Sequence, residues 1–216
     1  MSENVMHLTG TDCQAVVGRM QAAIRSNRTH LSELDAALGD GDHGVNLHNA
    51  LHEANEGVMA LVEPLPHEVF ALVGSTVRNQ MGGAAGAIFG SFFTGGSRAI
   101  QDRTEVGLTE IASFFAAGID KVQKRGKAVA GDKTILDALI PAAAILDRAA
   151  ANGDPFVAAV TAAAEAAQAG ATATKEMVAQ HGRAKFLGDR ALGHQDAGAT
   201  SMALMVTAWA EFIADY

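Results

Sequence analysis

Cysteine occurs once in this chain, at Cys13, so no disulfide can close within it and cross-linked scaffolds are excluded. A reducing compartment follows, and we expect a cytoplasmic protein. Tryptophan and tyrosine also occur once each, and aromatic residues make up only 5% of the sequence. Strands favour β-branched and aromatic residues, so this shortage, beside abundant alanine, points to closely packed helices. Basic residues are scarce too: 16 Lys and Arg stand against 24 Asp and Glu, a formal charge of −8. Nucleic-acid partners are therefore not expected, because phosphate backbones are bound by clustered cations. No stretch reaches the ~20 apolar residues of a membrane span, and the first ten residues, "MSENVMHLTG", lack a basic region leading into an apolar run. Neither secretion nor membrane insertion is expected.

What is present suits a buried helical core. The 216 residues are 49% apolar. From Thr11, read as an N-cap, Val16, Val17, Met20, Ile24, Leu31, Leu34 and Leu38 recur at helical spacing, predicting one long helix that stops at Gly39. A second helix follows Gly44 and ends before Pro64 and Pro66. Further helices are predicted over 67–81, 87–100, Thr109–Lys124 with Thr109 as cap, 135–151, Phe156–Gln180 and Ser201–Ile213. No repeat or linker divides them, so residues 1–216 read as one all-α domain, an antiparallel bundle or helical barrel.

Between the first two helices lies "GDGDHG", residues 39–44, which has the glycine spacing of a dinucleotide-binding turn. That turn needs a preceding strand, and here a helix precedes it; Asp40 and Asp42 would also face a dianionic phosphate uncompensated. Asp35, Asp40 and Asp42 fall within eight residues and repel one another unless a cation sits among them. A hard divalent ion such as Mg²⁺ takes such oxygen ligands, the alternative being a solvated acidic turn. An EF-hand is excluded, because the position that requires a bidentate Glu is Leu51.

Two more glycine-rich segments bear on an anion. Gly82, Gly83, Ala84, Ala85 and Gly86 precede a helix and offer unobstructed N–H groups to a phosphate, or else serve close helix packing. No P-loop is present, since "GDKT" at 131–134 lacks the upstream glycine spacing. The segment from Gly182 to Thr200 supplies Arg183, suited to a forked contact with phosphate oxygens, with Lys185 and Arg190 nearby; His43 and His194 could donate a hydrogen bond to phosphate or orient a carboxylate. An acidic metal corner, a glycine-rich loop and an arginine make a candidate Mg–nucleotide site, and phosphoryl transfer by positioning and electrostatics would need no nucleophile from this chain.

The ordered motifs "LDAALGDGDHGVN" (34–46), "GGAAGAIFGSFF" (82–93), "RGKAVAGDKTILD" (125–137) and "GRAKFLGDRALGHQDAGATS" (182–201) resemble the nucleotide-binding L subunits of the dihydroxyacetone kinases, over about residues 10–215. The resemblance implies an eight-helix antiparallel barrel with the nucleotide in the loops at one end. It implies two Mg²⁺ ions on Asp35, Asp40 and Asp42, with His43, Gly44 and Asn46 touching the phosphates of ADP or ATP and Ala84 and Ala85 around the transferring group. Gly126 and Ile135 would border the adenine, and Arg183, Asp196, Ala197 and Gly198 would complete the shell, Arg183 also acting in transfer. A separate K subunit would hold the ketose, and in one branch a protein of the sugar phosphotransferase system would rephosphorylate bound ADP. Where the family pattern reads "GGASGP" this chain has "GGAAGA", so Ala85 replaces a hydroxyl and Ala87 a proline; Ala197 also stands in place of a proline. Two other functions fit the same residues: an ATP-dependent kinase subunit for a related short ketose or four-carbon sugar, and a non-catalytic Mg–nucleotide regulatory module.

Overall fold

A computed structural model describes residues 6–216, and among them the chain is almost wholly helical. The helices are α1 (Gly10–Ser26), α2 (Arg28–Leu38), α3 (His43–Met59), α4 (Pro66–Met81), α5 (Gly83–Ala99), α6 (Leu108–Gly126), α7 (Leu136–Asn152), α8 (Phe156–Ala173) and α9 (Ala197–Asp215). Two short strands, β1 (Leu8–Thr9) and β2 (Glu105–Val106), pair antiparallel, and 3₁₀ turns span Thr174–Glu176 and Ala184–Ala191.

The single long helix expected at the start is two. Asn27 divides it: its side-chain amide donates to the Ala23 carbonyl at 2.9 Å, competing with the helical ladder, and α2 starts afresh at Arg28. The cap is Thr9 rather than Thr11, in a reciprocal capping box with Asp12. Other ends shift as well. Gly107 rather than Thr109 precedes α6, α8 stops at Ala173 rather than Gln180, and the last helix begins four residues before Ser201, where the Asp196 carboxylate accepts from Ala199 N–H. Gly83–Gly86, expected ahead of a helix, form the first turn of α5.

Eight helices close a ring. α1 packs on α3, each helix from α3 to α8 packs on the next, α8 packs on α9, and α9 returns to α1. The expected barrel of eight is therefore present, with α2 as an additional helix against α3 and α9. Antiparallel packing puts the N-termini of α3, α5, α7 and α9 at one end, together with the C-termini of α2, α4, α6 and α8.

The few aromatic residues are concentrated rather than scattered. Phe70, Phe92, Phe114, Phe115 and Trp209 form a continuous buried cluster, with Phe70 and Trp209 stacked at 5.1 Å between centroids. Phe70 lies early in α4 and Trp209 late in α9, so this cluster fills the half of the barrel remote from the four N-termini. Helix α9 has a mean hydropathy of 1.3, enough by length and composition for a membrane span. Its apolar surface instead contacts α1, α7 and α8 in the core.

Candidate functional site

The loop after α2 folds back on its own helix. Gly41 takes a positive φ of 77°, which turns the chain, and at Gly44 any Cβ would collide with the Arg28 carbonyl. The doubled-back loop brings Asp40 and Asp42 beside Asp35, so that one carboxylate oxygen of each lies within 4.8 Å of the others. Asp35 is half-buried and the other two are exposed. Arg183 pairs with Asp40 and offsets one of the three charges. Hard oxygen donors at this separation, short of positive charge, suit a hard divalent cation.

Facing this corner is a cavity of about 780 Å³ at the end of the barrel. Asp35, Asp40, Asp42, His43, Asn46, Gly82, Gly83, Ala84, Ala85, Gly126, Ile135, Arg183, Asp196, Ala197 and Gly198 all line it, brought together from five segments of chain. Its size and mixed lining suit a nucleotide. Gly44 and Gly86 do not line it. Both are buried against neighbouring backbone, Gly86 having the Arg78 carbonyl 3.1 Å from where its Cβ would be. His194 stays outside and exposed, with only its carbonyl engaged, and Lys185 and Arg190 are exposed away from the lining, Lys185 over the Phe186 ring.

Four helix N-termini converge here, and side chains of the chain itself already engage three. Asp35 accepts from His43 N–H at the start of α3 at 3.2 Å, the Thr134 hydroxyl from Leu136 N–H at the start of α7 at 3.2 Å, and Asp196 from Ala199 N–H in α9 at 2.7 Å, while Asp137 accepts from Thr134 N–H, two residues before α7, at 2.7 Å. Helix α5 has no side-chain cap: Gly82, at φ +62°, precedes it, and the first helical bond is Gly86 N–H to the Gly82 carbonyl. The N–H groups of Gly83, Ala84 and Ala85 are thus left without intrahelical acceptors at a positive helix end. That end is where an external anion fits.

Several contributors carried no local signal in the sequence. Lys133, in a left-handed conformation and only 3% exposed, donates to the carbonyls of Thr174 and His194, tying the 128–134 loop to the segment before α9. Burial lowers its pKa, against the pull of Asp196 and Asp137. Burial likewise pushes the Asp196 carboxyl up to about 6, against its bond from Ala199 N–H and the charge of Lys133. Ser201 is fully buried and lies 2.8 Å from His43 Nε2. Because its hydroxyl donates to the Ala197 carbonyl at 2.9 Å, His43 must be the donor, which leaves Nδ1 of the neutral ring as the acceptor. Burial holds the His43 pKa below its ordinary value, outweighing Asp35 and Asp42.

The fold and cavity define an all-α barrel with an acidic corner and an open helix terminus at one end. Residues 37–211 match the DAK2 domain family, and the chain belongs to it. It is 38% identical over 188 residues to the ADP-binding subunit DhaL of PEP-dependent dihydroxyacetone kinase 2 of Listeria innocua, covering 86% of this chain and 87% of that one. The corresponding Escherichia coli subunit is 36% identical over 177 residues, 82% of this chain and 84% of the other. Among solved structures, the dihydroxyacetone kinase of C. freundii in complex with AMP-PNP and Mg²⁺ superposes with a TM-score of 0.70 at 29% identity. That match covers 98% of this chain, which spans only 36% of the solved one.

Proposed function

We propose that this chain is the nucleotide-binding subunit of a cytoplasmic dihydroxyacetone kinase. It holds ADP or ATP with two Mg²⁺ ions and passes a phosphoryl group to dihydroxyacetone carried by a separate K subunit. The observation that carries this reading is one cavity that joins the Asp35–Asp40–Asp42 corner to the uncapped N-terminus of α5. The relatives named as ADP-binding subunits of PEP-dependent kinases favour a nucleotide that stays bound and is rephosphorylated by a phosphotransferase-system protein.

Each residue then has a physical task. Asp35, Asp40 and Asp42 would hold Mg²⁺, which would supply the positive charge that offsets the phosphates. The free N–H groups of Gly83, Ala84 and Ala85 cradle the phosphate end, so the hydroxyl missing at Ala85 is replaced by backbone donors. Gly126 and Ile135 form the apolar side for the base. Arg183, exposed and, among the described residues, paired only with Asp40, turns its fork to the oxygens of the transferring group. In transfer, an acceptor hydroxyl oxygen bonds to the terminal phosphorus as the bond from phosphorus to the bridging oxygen breaks, and the hydroxyl proton leaves to a base outside this chain. The subunit contributes position and electrostatics.

Calorimetric titration of nucleotide-stripped protein with ADP, in Mg²⁺ and again in EDTA, tests the site. Binding that requires Mg²⁺ is expected, and binding that ignores EDTA would remove the metal assignment. Turnover of dihydroxyacetone with the K subunit and PEP-driven phosphotransferase proteins, but not with ATP alone, is the expected outcome for the bound-cofactor reading.

A further inference from the structure

Helix α5 is recessed between α4 and α6. A Cβ placed on Gly74 of α4 would lie 2.8 Å from Thr94 N, one on Gly90 would lie 2.7 Å from Arg78 Cβ, and one on Gly95 would lie 2.8 Å from the Ala117 carbonyl and 3.0 Å from Lys121 Cβ. These glycines let the flanking helices close in on α5. Between the flanking helices α5 carries small side chains, half-buried Ala87 and Thr94 with buried Ser91 between them, and both hydroxyls fold back onto carbonyls of their own helix at 2.7 Å. The result is a shallow groove with a floor of short side chains.

Its rims are basic. Arg78 stands on α4, Lys121 and Arg125 one turn apart on α6, and Arg98 one turn beyond Thr94 on α5. Lys121 Nζ donates to Thr94 Oγ1 at 2.8 Å, crossing the groove floor. None of the four cations forms an ion pair among the described residues. Burial, then the charges of Arg98, Arg78 and Arg125, lower the Lys121 pKa, so the four cations share one field. In a chain of net charge −8, such an uncompensated group stands out, and Arg125 also lines the nucleotide cavity, so the groove leads to its mouth.

We propose that the α4–α5–α6 groove is the docking surface for an acidic segment of the sugar-binding K subunit, laid along α5 toward the mouth of the nucleotide cavity. This rests on the kinase reading above. Helices pack with axes ~8–10 Å apart, so the groove admits one helix or extended segment; a nucleic-acid duplex would need more cations than these four in a chain of net charge −8. Complementary charge at a rim acts mainly on association and its salt dependence.

The test is the double variant R78E/R98E, neither residue lining the cavity, with R78K/R98K as the charge-conserving control. Affinity for purified K subunit is measured by calorimetry at two salt concentrations, together with Mg–ADP affinity and the helical circular dichroism. The charge reversal should weaken K-subunit binding at least ~tenfold and flatten its salt dependence, while Mg–ADP affinity stays within about twofold and the Lys variant binds as wild type. Unchanged K-subunit binding by R78E/R98E would overturn the proposal, as would a loss confined to the phosphoryl-donor protein, or tight binding of a DNA duplex to this face. Failure of the wild-type protein to bind either Mg–ADP or the K subunit would instead remove the kinase reading, and this inference with it.

Discussion

His43 Nε2 donates to Ser201 Oγ across 2.8 Å of buried interior, joining the first residue of α3 to the second turn of α9. This bond holds the ring at the edge of the cavity and fixes its tautomer. Ser201→Ala leaves the Nε2 proton without an acceptor, which costs about 1–3 kcal/mol for a buried group. Urea unfolding should show a midpoint decrease of that size, and nucleotide affinity should fall with it. An unchanged midpoint would mean that the ring finds another partner.

The depressed His43 pKa makes an acid-side prediction. The folded state resists protonating this ring, whereas the unfolded chain takes the proton near 6.5. Its contribution to stability is therefore present above about pH 6.5 and is lost as pH falls below that toward the folded value. His43→Gln should make the loss of stability between pH 6.5 and 5 shallower than in wild type. Parallel pH curves for the two proteins would contradict it.

Asp40→Asn should separate binding from stability. Mg²⁺-dependent ADP affinity is expected to drop by at least ~100-fold, about 2.7 kcal/mol, through loss of a ligand. The nucleotide-free protein should be no less stable, because relief of carboxylate repulsion, on the order of 1 kcal/mol in water, offsets the lost exposed pair with Arg183. Calorimetry and thermal unfolding on one sample read both quantities.

Gly44→Ala places a methyl group against the Arg28 carbonyl and the Ser32 backbone. Overpacking of this kind costs typically ~1–3 kcal/mol, and the strain falls on the loop that carries Asp40 and Asp42. We expect a lower melting temperature and weakened Mg²⁺ binding together.

Lys133→Met keeps a comparable apolar stem and removes the donor to Thr174 and His194. Limited proteolysis should then cut within residues 177–195 faster than in wild type. Equal cutting rates would show that the apolar contacts of Leu38 with Ala179 and Ala191 hold that segment alone.

The gathering of the three carboxylates was legible because Asp35, Asp40 and Asp42 are close in sequence and separated by glycines, so local geometry alone can bring them together. Arg183 was legible by charge, as a cation in a segment rich in glycine. Ser201, Lys133 and Asp137 were not: a serine in an apolar helix and a lysine and an aspartate near a glycine turn resemble many others, and each acts through a partner that is distant in sequence or through backbone groups. Gly44 and Gly86 were legible as glycines but not in their placement, since each is set by a close helix approach that no local pattern records.

By itself the amino-acid sequence determined the helical class, the approximate helices and the acidic loop, because periodicity, alanine content and a short run of aspartates are local properties. The tertiary structure decided which helix end is left without a side-chain partner. Four N-termini meet only because eight helices close a ring with alternating direction, and three of them are engaged by Asp35, Thr134 and Asp196. The vacancy at α5 is a property of that meeting, since an unpaired N–H is defined by what the rest of the fold fails to bring to it.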